Sequence, residues 1–240
     1  FEEISSEDFL AEVKKGGVPT SSQPPIGTTM GIFEEHPDED FIVISMADGL
    51  SGTYQSNVGV KNSLDKNDHI HIINTKTLCG PHRYMVKKAI QMKKDGCTTQ
   101  EMVAEMERLA NSHKSFLIPS DFDFLSRGGR LTPLAAKIAG LIKIVPVMTQ
   151  TEDGKKLESA GIKRTMKKAV EEVISQFKAM GVNEKYLITV SHACVEEEAK
   201  KVVKQVKEAF VNTEIELVHL SCAFVTQGGP GCIAIQVIEK

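Results

Sequence analysis

Short apolar runs alternate with longer segments of helical period along most of the chain, and this alternation most limits what it can fold into. Phe41–Ser45, His69–Ile73, Ser115–Ile118, Ile144–Thr149, Tyr186–Ser191, Ile215–Val218 and Cys232–Ile238 read as strands. Between them lie amphipathic segments. Ser5–Lys15 has Phe9 and Val13 four apart, with Ser5 or Ser6 as cap and Gly16 as stop. A helix running to about Leu64 carries Tyr54 and Val58, and another opens at Pro81 with Met85, Ala89 and Met92 on one face. Thr98-x-x-Glu101 is a capping box for a helix that turns Met102, Met106 and Leu109 inward. Thr132-Pro133 opens a helix to about Gly140. Arg164–Met180 turns Val170, Val173, Ile174 and Phe177 inward, and Glu196–Phe210 does so with Ala199, Val202, Val203 and Val206. Strand–helix–strand order of this kind predicts an α/β protein with a parallel sheet. The texture changes near Ser115–Asp121. The expected division is therefore an N-terminal α/β domain over 1–115, with a parallel Rossmann-like sheet built from the first three strands, and a second, mixed-sheet α/β domain over 116–240.

The composition closes several doors. With 41% hydrophobic residues in 240, the chain can fill a sizeable core, and a net charge of −3 gives no basic excess for nucleic acid. No apolar run approaches the ~20 residues needed to span a bilayer, and no signal-peptide pattern opens the chain. Five cysteines, an odd number without a C-x-x-C pair, do not suit a disulfide framework or a zinc site; a reducing cytoplasm is expected. The opening "FEEISSEDFL" has no Met, so the chain is expected to be trimmed.

Chemistry is concentrated in polar loops. "TSSQP" within the Pro19–Gly27 loop, "GLSGTYQ", "NTKTLCGP" and "TQGGPG" (Thr226–Gly231) are rich in hydroxyls, amides and glycine and sit where strands end or helices begin. Hydroxyls and N–H groups at a helix start can take a carboxylate or a phosphate; the ordinary alternative for each Ser or Thr is an N-cap. "SRGGR" sets Arg127 and Arg130 beside flexible backbone, as a phosphate site, a docking surface or a solvated turn. His69 and His71 share a strand face, but no cysteine or carboxylate joins them at metal-binding spacing, so no metal is expected. His192 in "SHAC" reads as a structural or surface residue. The chain has no G-x-S-x-G elbow, no G-x-x-x-x-G-K-[ST] loop and no dinucleotide fingerprint, hence no evident means of binding ATP or NAD by itself.

The stretches "TSSQP", "GLSGTYQS", "NTKTLCGP", "FLSRGGRLT", "KIVPVMT", "KRT" and "GGPG", in this order over nearly the whole chain, resemble the DegV family, the fatty-acid-binding proteins of bacterial fatty-acid kinase. The resemblance implies a two-domain α/β fold with a long-chain fatty acid in an apolar tunnel. It implies a non-enzymatic, cytoplasmic carrier that presents the acid to a separate ATP-binding kinase subunit. That subunit makes an acyl phosphate for phospholipid synthesis, with transient membrane contact and no cofactor beyond the bound acid. The family's Ser-Gly-Thr falls on Ser51, Gly52 and Thr53, its Thr-Ser-Gln-Pro puts the Thr position on Ser21 beside Ser22, and its late loop brings in Gln227; these are the implied carboxylate ligands. Arg130, Arg127 and Arg164 are the implied contacts for kinase or phosphate.

Two departures stand out. The family's opening strand with its Asp-Ser has no counterpart here, so the first strand of the sheet is expected to be missing. Gln227 stands where family members often have His, and it donates a hydrogen bond without carrying charge. A lipid ligand is consistent with the physics: each buried methylene contributes about 0.8 kcal/mol, so the tail dominates affinity and the head group fixes orientation. Two rival readings stay open. One is an acyl hydrolase or transferase with Ser51 as nucleophile and His192 as the only candidate base. The other is a binding module for another small carboxylate or phosphate.

Overall fold

The computed structural model describes residues 3–138, 140–141 and 143–240. The chain divides into two compact units, a smaller one over Ser22–His113 and a larger one made of 1–21 together with 114–240. Division of the sequence at 115/116 assigns the first 21 residues to the other unit. They hold α1 (Ser6–Lys14), capped by Ser5, whose hydroxyl accepts from the Asp8 N–H.

In the smaller unit α2 (Ile26–Glu35) is followed by β1 (Phe41–Ser45), α3 (Thr53–Ser63), β2 (Ile70–Asn74), α4 (Cys79–Lys94) and α5 (Thr99–Leu109). The two strands pair in parallel, from Phe41 opposite Ile70 to Ser45 opposite Asn74. Phe33, Val60 and Ile70 form a small core beside them, with the Phe33 and Phe41 rings edge to face at 4.9 Å. Met85, Ala89, Met102, Met106 and Leu109 are buried on α4 and α5, as their spacing predicts. Thr98 and Glu101 complete the expected capping box. The expected loop ends early: Pro25, with φ −58°, is the N-cap of α2, so the helix starts at Ile26. Pro81 is the third residue of α4, not the first.

The larger unit contains β3 (His113–Ile118), α6 (Phe122–Arg127), α7 (Pro133–Ala136), β4 (Val145–Gln150), β5 (Leu157–Lys163), α8 (Met166–Ala179), β6 (Tyr186–His192), α9 (Glu196–Ala209), β7 (Glu214–His219), α10 (Cys222–Gly228) and β8 (Ile233–Glu239). Six strands lie in the order β5-β4-β3-β8-β6-β7. The sheet is mixed: β3/β4, β4/β5 and β6/β8 are antiparallel, and β6/β7 is parallel. This corrects the expectation for Ser115–Ile118, which joins this sheet instead of the parallel one. Polar groups inside the sheet tie β3 to its neighbours. Thr149 Oγ1 donates to the Ser115 carbonyl at 2.9 Å, and Gln236 Nε2 donates to Ser115 Oγ at 2.8 Å.

Ala169, Val170, Val173, Ile174 and Phe177 bury one face of α8, and Ala199, Val202 and Val206 one face of α9. The Phe177 ring packs at a tilt against Phe116, centroids 5.7 Å apart, and against Phe210, 6.3 Å apart, in the main core. Leu157–Lys163 is a strand that the sequence pattern did not single out. Two expectations are corrected. α10 covers Thr226–Gly228, where a loop was expected. The helix after Thr132 ends at Ala136 with Lys137 as C-cap; Ala139, within the expected span, lies outside the described residues. Among the described residues no helix is long and apolar enough to cross a membrane.

Candidate functional site

Parallel strands present ligand-binding loops at their carboxyl ends, and in the smaller unit the loops after β1 and β2 meet there. The Ala47 N–H donates to the Thr77 carbonyl at 2.8 Å, and the Thr75 N–H to the Ser45 carbonyl at 3.0 Å. The Asn74 side chain adds a third tie: its Oδ1 accepts from the Asp48 N–H at 3.2 Å and from the Lys76 N–H at 3.0 Å. Asn57 Nδ2 donates to Ser45 Oγ at 3.0 Å, and the half-buried His82 holds the Ile44 carbonyl through Nε2 at 2.9 Å. Burial pushes the His82 pKa below its ordinary value, partly offset by that carbonyl. Lys76 and Cys79 lie in the left-handed region with φ of 55° and 53°, a conformation that costs a residue with a Cβ about 1 kcal/mol or more.

On this footing the chain runs through Gly49, with φ 86°, to Ser51 and into α3. Ser51 Oγ and Thr53 Oγ1 are 2.9 Å apart, and the Thr53 N–H donates to Ser51 Oγ at 3.2 Å. One hydroxyl hydrogen serves the contact between the two oxygens, which leaves the other hydroxyl hydrogen free to donate outward. The N-cap of α3 is Gly52, which supplies no side-chain cap, and first-turn N–H groups lack intrahelical acceptors. The arrangement can therefore donate several hydrogen bonds to an anion at the positive end of a helix. Gly52 is also a close-approach position, since a Cβ there would lie 2.6 Å from Gln23 Oε1. The Gln of "TSSQP" thus rests on the Gly of "LSGT". Among the described residues no His, Lys or carboxylate hydrogen-bonds Ser51 Oγ.

A second polar cluster lies in the larger unit. Gln227, on α10, donates through Nε2 to Ser21 Oγ at 2.8 Å, joining two residues that the sequence reading assigned to one ligand. Its Oε1 is buried without a hydrogen-bond partner, and a Cβ on Gly128 would lie 2.8 Å from it. Gly229, with φ 84°, comes so near the Phe124 ring that a Cβ there would lie 3.1 Å from it, and the Arg127 guanidinium lies over the same ring, 5.0 Å from its centroid. Arg130 donates to the Gly128 carbonyl, and Lys156 Nζ to the Gly129 carbonyl at 3.1 Å. Arg164 is exposed, just before Thr165, the N-cap of α8. Ser22 is exposed and belongs to the smaller unit with Ser51 and Thr53.

The remaining candidates are accounted for locally. His192 is buried at the end of β6. Its Nδ1 accepts from the Val195 N–H at 3.3 Å, and its ring meets His219 edge to face at 5.0 Å. Burial first, then the neighbouring His219, lowers its pKa. Among the described residues no three His, Cys, Asp or Glu side chains are grouped to hold a metal. Sequence reading passed over Gln23, Asn74 and His82 as working residues. The first two stand inside motifs already singled out, but their contacts need the chain to return, which spacing does not reveal.

A family model described as "Uncharacterised protein, DegV family" matches residues 1–240. Protein DegV of Bacillus subtilis is 28% identical over 240 residues, 97% of this chain and 84% of that protein. A DegV domain-containing protein of Staphylococcus aureus is 28% identical over 243 residues, 99% and 85% of the two chains. The solved structure of DegV, a fatty acid binding protein from Bacillus subtilis, has a TM-score of 0.80 at 26% identity, covering 97% of this chain and 83% of that one. A DegV family protein from Ruminococcus gnavus, refined with vaccenic acid, has a TM-score of 0.85 at 26% identity, covering 98% and 85%. A fatty acid binding DegV family protein from Streptococcus agalactiae reaches a TM-score of 0.88 at 22% identity over 99% and 84%, a likeness of fold.

Proposed function

Since the chain belongs to the DegV family, we propose that it binds one long-chain fatty acid and holds its carboxylate at the start of α3. In this reading it is a cytoplasmic carrier, not itself an enzyme. It presents the acid to a separate ATP-binding kinase subunit, which phosphorylates it to an acyl phosphate for phospholipid synthesis. The observation that carries the reading is the Ser51–Thr53 pair: two hydroxyls at 2.9 Å with one hydrogen left to donate, at a helix start whose N-cap, Gly52, has no side chain to occupy it. A carboxylate taken out of water needs several such donors to offset its desolvation. The absence of a base on Ser51 among the described residues favours holding over attack. The Bacillus subtilis relative named as a fatty acid binding protein and the Ruminococcus gnavus relative refined with vaccenic acid support the choice of ligand.

Gly52, Ser21, Ser22 and Gln227 carry the same head-group assignment, and Arg127, Arg130 and Arg164 are assigned to the kinase or the new phosphate. Transient membrane contact is supported by the stretch 124–151. It has four basic residues and no acidic one, and Leu134 on it is 75% exposed.

The direct test is organic extraction of the purified protein followed by mass spectrometry, with titration of oleate, palmitate and acetate. Co-purified long-chain acid, or tight binding of oleate and palmitate but not acetate, is expected. Equal binding of acetate would favour a small-carboxylate module, and no binding of either lipid would remove the carrier reading.

A further inference from the structure

We infer that Asn74 is the positioning residue of the head-group clamp, an inference that rests on the fatty-acid reading of Ser51. One carbonyl oxygen of its side chain takes two backbone N–H groups from different loops. The Lys76 N–H, two residues on, closes an Asx turn at 3.0 Å. The Asp48 N–H, 3.2 Å away, comes from the loop that carries Ser51. Asp48 is linked onward: it bridges to Ser51 in the loop, and its carboxylate accepts from Gln55 Nε2 at 2.9 Å, on the first turn of α3. The path from Asn74 to the Ser51 backbone, which carries the hydroxyl, is therefore two short steps, both within the smaller unit. The ends of that path are not free to drift. Asn74 closes β2 opposite Ser45, the last residue of β1.

The turn that Asn74 closes is one the backbone does not favour. Lys76 holds φ 55°, and a residue with a Cβ stays there only when its surroundings hold it. The Asn74 oxygen is one of those holds. Without it the Lys76 N–H and the Asp48 N–H both lose this shared acceptor, while the backbone ties through Ala47 and Thr75 remain. Asp in place of Asn presents the same acceptor oxygen to both N–H groups, so it is the conservative variant. Asn74 touches no part of the ligand in this account. It acts through the place it gives Ser51.

The test is a double-mutant cycle on oleate binding with Asn74→Ala, Asn74→Asp and Ser51→Ala in the full chain. Amide hydrogen exchange of the ligand-free proteins accompanies it. Asn74→Ala is expected to weaken oleate about ten-fold in the wild-type background and to change it less than about two-fold once Ser51 is Ala, because the two act on one contact. Asn74→Asp is expected to restore most of the affinity. Exchange at the Asp48 and Lys76 amides should speed up in Asn74→Ala and stay slow in Asn74→Asp. An equal loss in both Ser51 backgrounds, a failure of Asn74→Asp to rescue, or unchanged exchange at Asp48 would each overturn the inference. Wild-type protein that ignores oleate would instead sink the fatty-acid reading itself, and this inference with it.

Discussion

The two sheets of this chain are built on different terms. The six-stranded sheet of the larger unit is covered by α8 and α9, and Val147, Ile188, Val190, Ile235 and Val237 are wholly buried in it. The two-stranded sheet of the smaller unit has β1 half-buried along most of its length, with only Ser45 fully enclosed. Two strands alone are marginal, so the smaller sheet depends on its helices and on the polar ties between its loops. The hydroxyl pair Ser51–Thr53 sits at the end of this less enclosed sheet. Regions that admit ligands are commonly drawn from the less stable part of a fold, and the proposed head-group clamp lies on the less enclosed of the two sheets.

The sharpest way to break this comparison is to cut an aromatic ring from each core. Phe177→Ala should cost about 3–5 kcal/mol, because its cavity is walled by Phe116 and Phe210 in a fully buried layer. Phe33→Ala should cost less, about 2–3 kcal/mol, since Met30, Phe41 and Val43 around it are partly exposed and can close in. Urea unfolding of both variants reads the difference, and equal losses would erase the distinction drawn between the cores.

Next in size is Ser51→Ala. Loss of the paired hydroxyl should weaken oleate about ten-fold, while urea stability stays within about 0.5 kcal/mol of wild type. Calorimetric titration beside the unfolding curve separates the two effects; a stability loss without an affinity loss would make Ser51 a cap and nothing more.

Acidification offers a third handle on the smaller unit. His82 is held neutral by burial, with a pKa below the ordinary 6.5. The unfolded chain then binds a proton more readily than the folded one, so the His82 contribution is full above pH 6.5 and is lost as pH falls through the lowered value. Melting temperatures over this range should decline more steeply in wild type than in His82→Gln.

The smallest effect expected is at the capping box. Thr98→Ala should cost about 1 kcal/mol. The carboxyl of Glu101 is held below its usual range by the Thr98 N–H and then by the Thr98 hydroxyl. Its contribution is therefore present above the ordinary carboxylate range and lost as pH falls through the lowered value. A stability difference between wild type and Thr98→Ala that fails to narrow in acid would argue against that linkage.

How much of this was readable beforehand depends on how local each feature is. The helices α5, α8 and α9 and the strands β6 and β8 follow from period and caps within their own segments. The sheet that β3 joins does not, because a strand's own residues specify its faces and leave its neighbours open; Ser115 meets Gln236, 121 positions further along the chain. The strand β5, "LESAGIK", hid behind its Gly161 and mixed polarity, and α2 hid behind two prolines that mark a boundary more plainly than a start. Ser51 and Thr53 stand two positions apart and were singled out from their loop; the contact between their hydroxyls comes with the fold. The Gln23 carboxamide over Gly52 and the Asn74 oxygen between two loops are products of the fold.

The left-handed residues Lys76 and Cys79 have a consequence for how the chain assembles. A loop whose residues oppose their own backbone preference gains nothing by forming early. It can close only after β1 and β2 have paired and brought Ser45 and Asn74 level. The expected order is strands first and the loops after β1 and β2 last, so a chain caught before the final step would have a formed sheet and, on the proposed reading, no hold on a carboxylate.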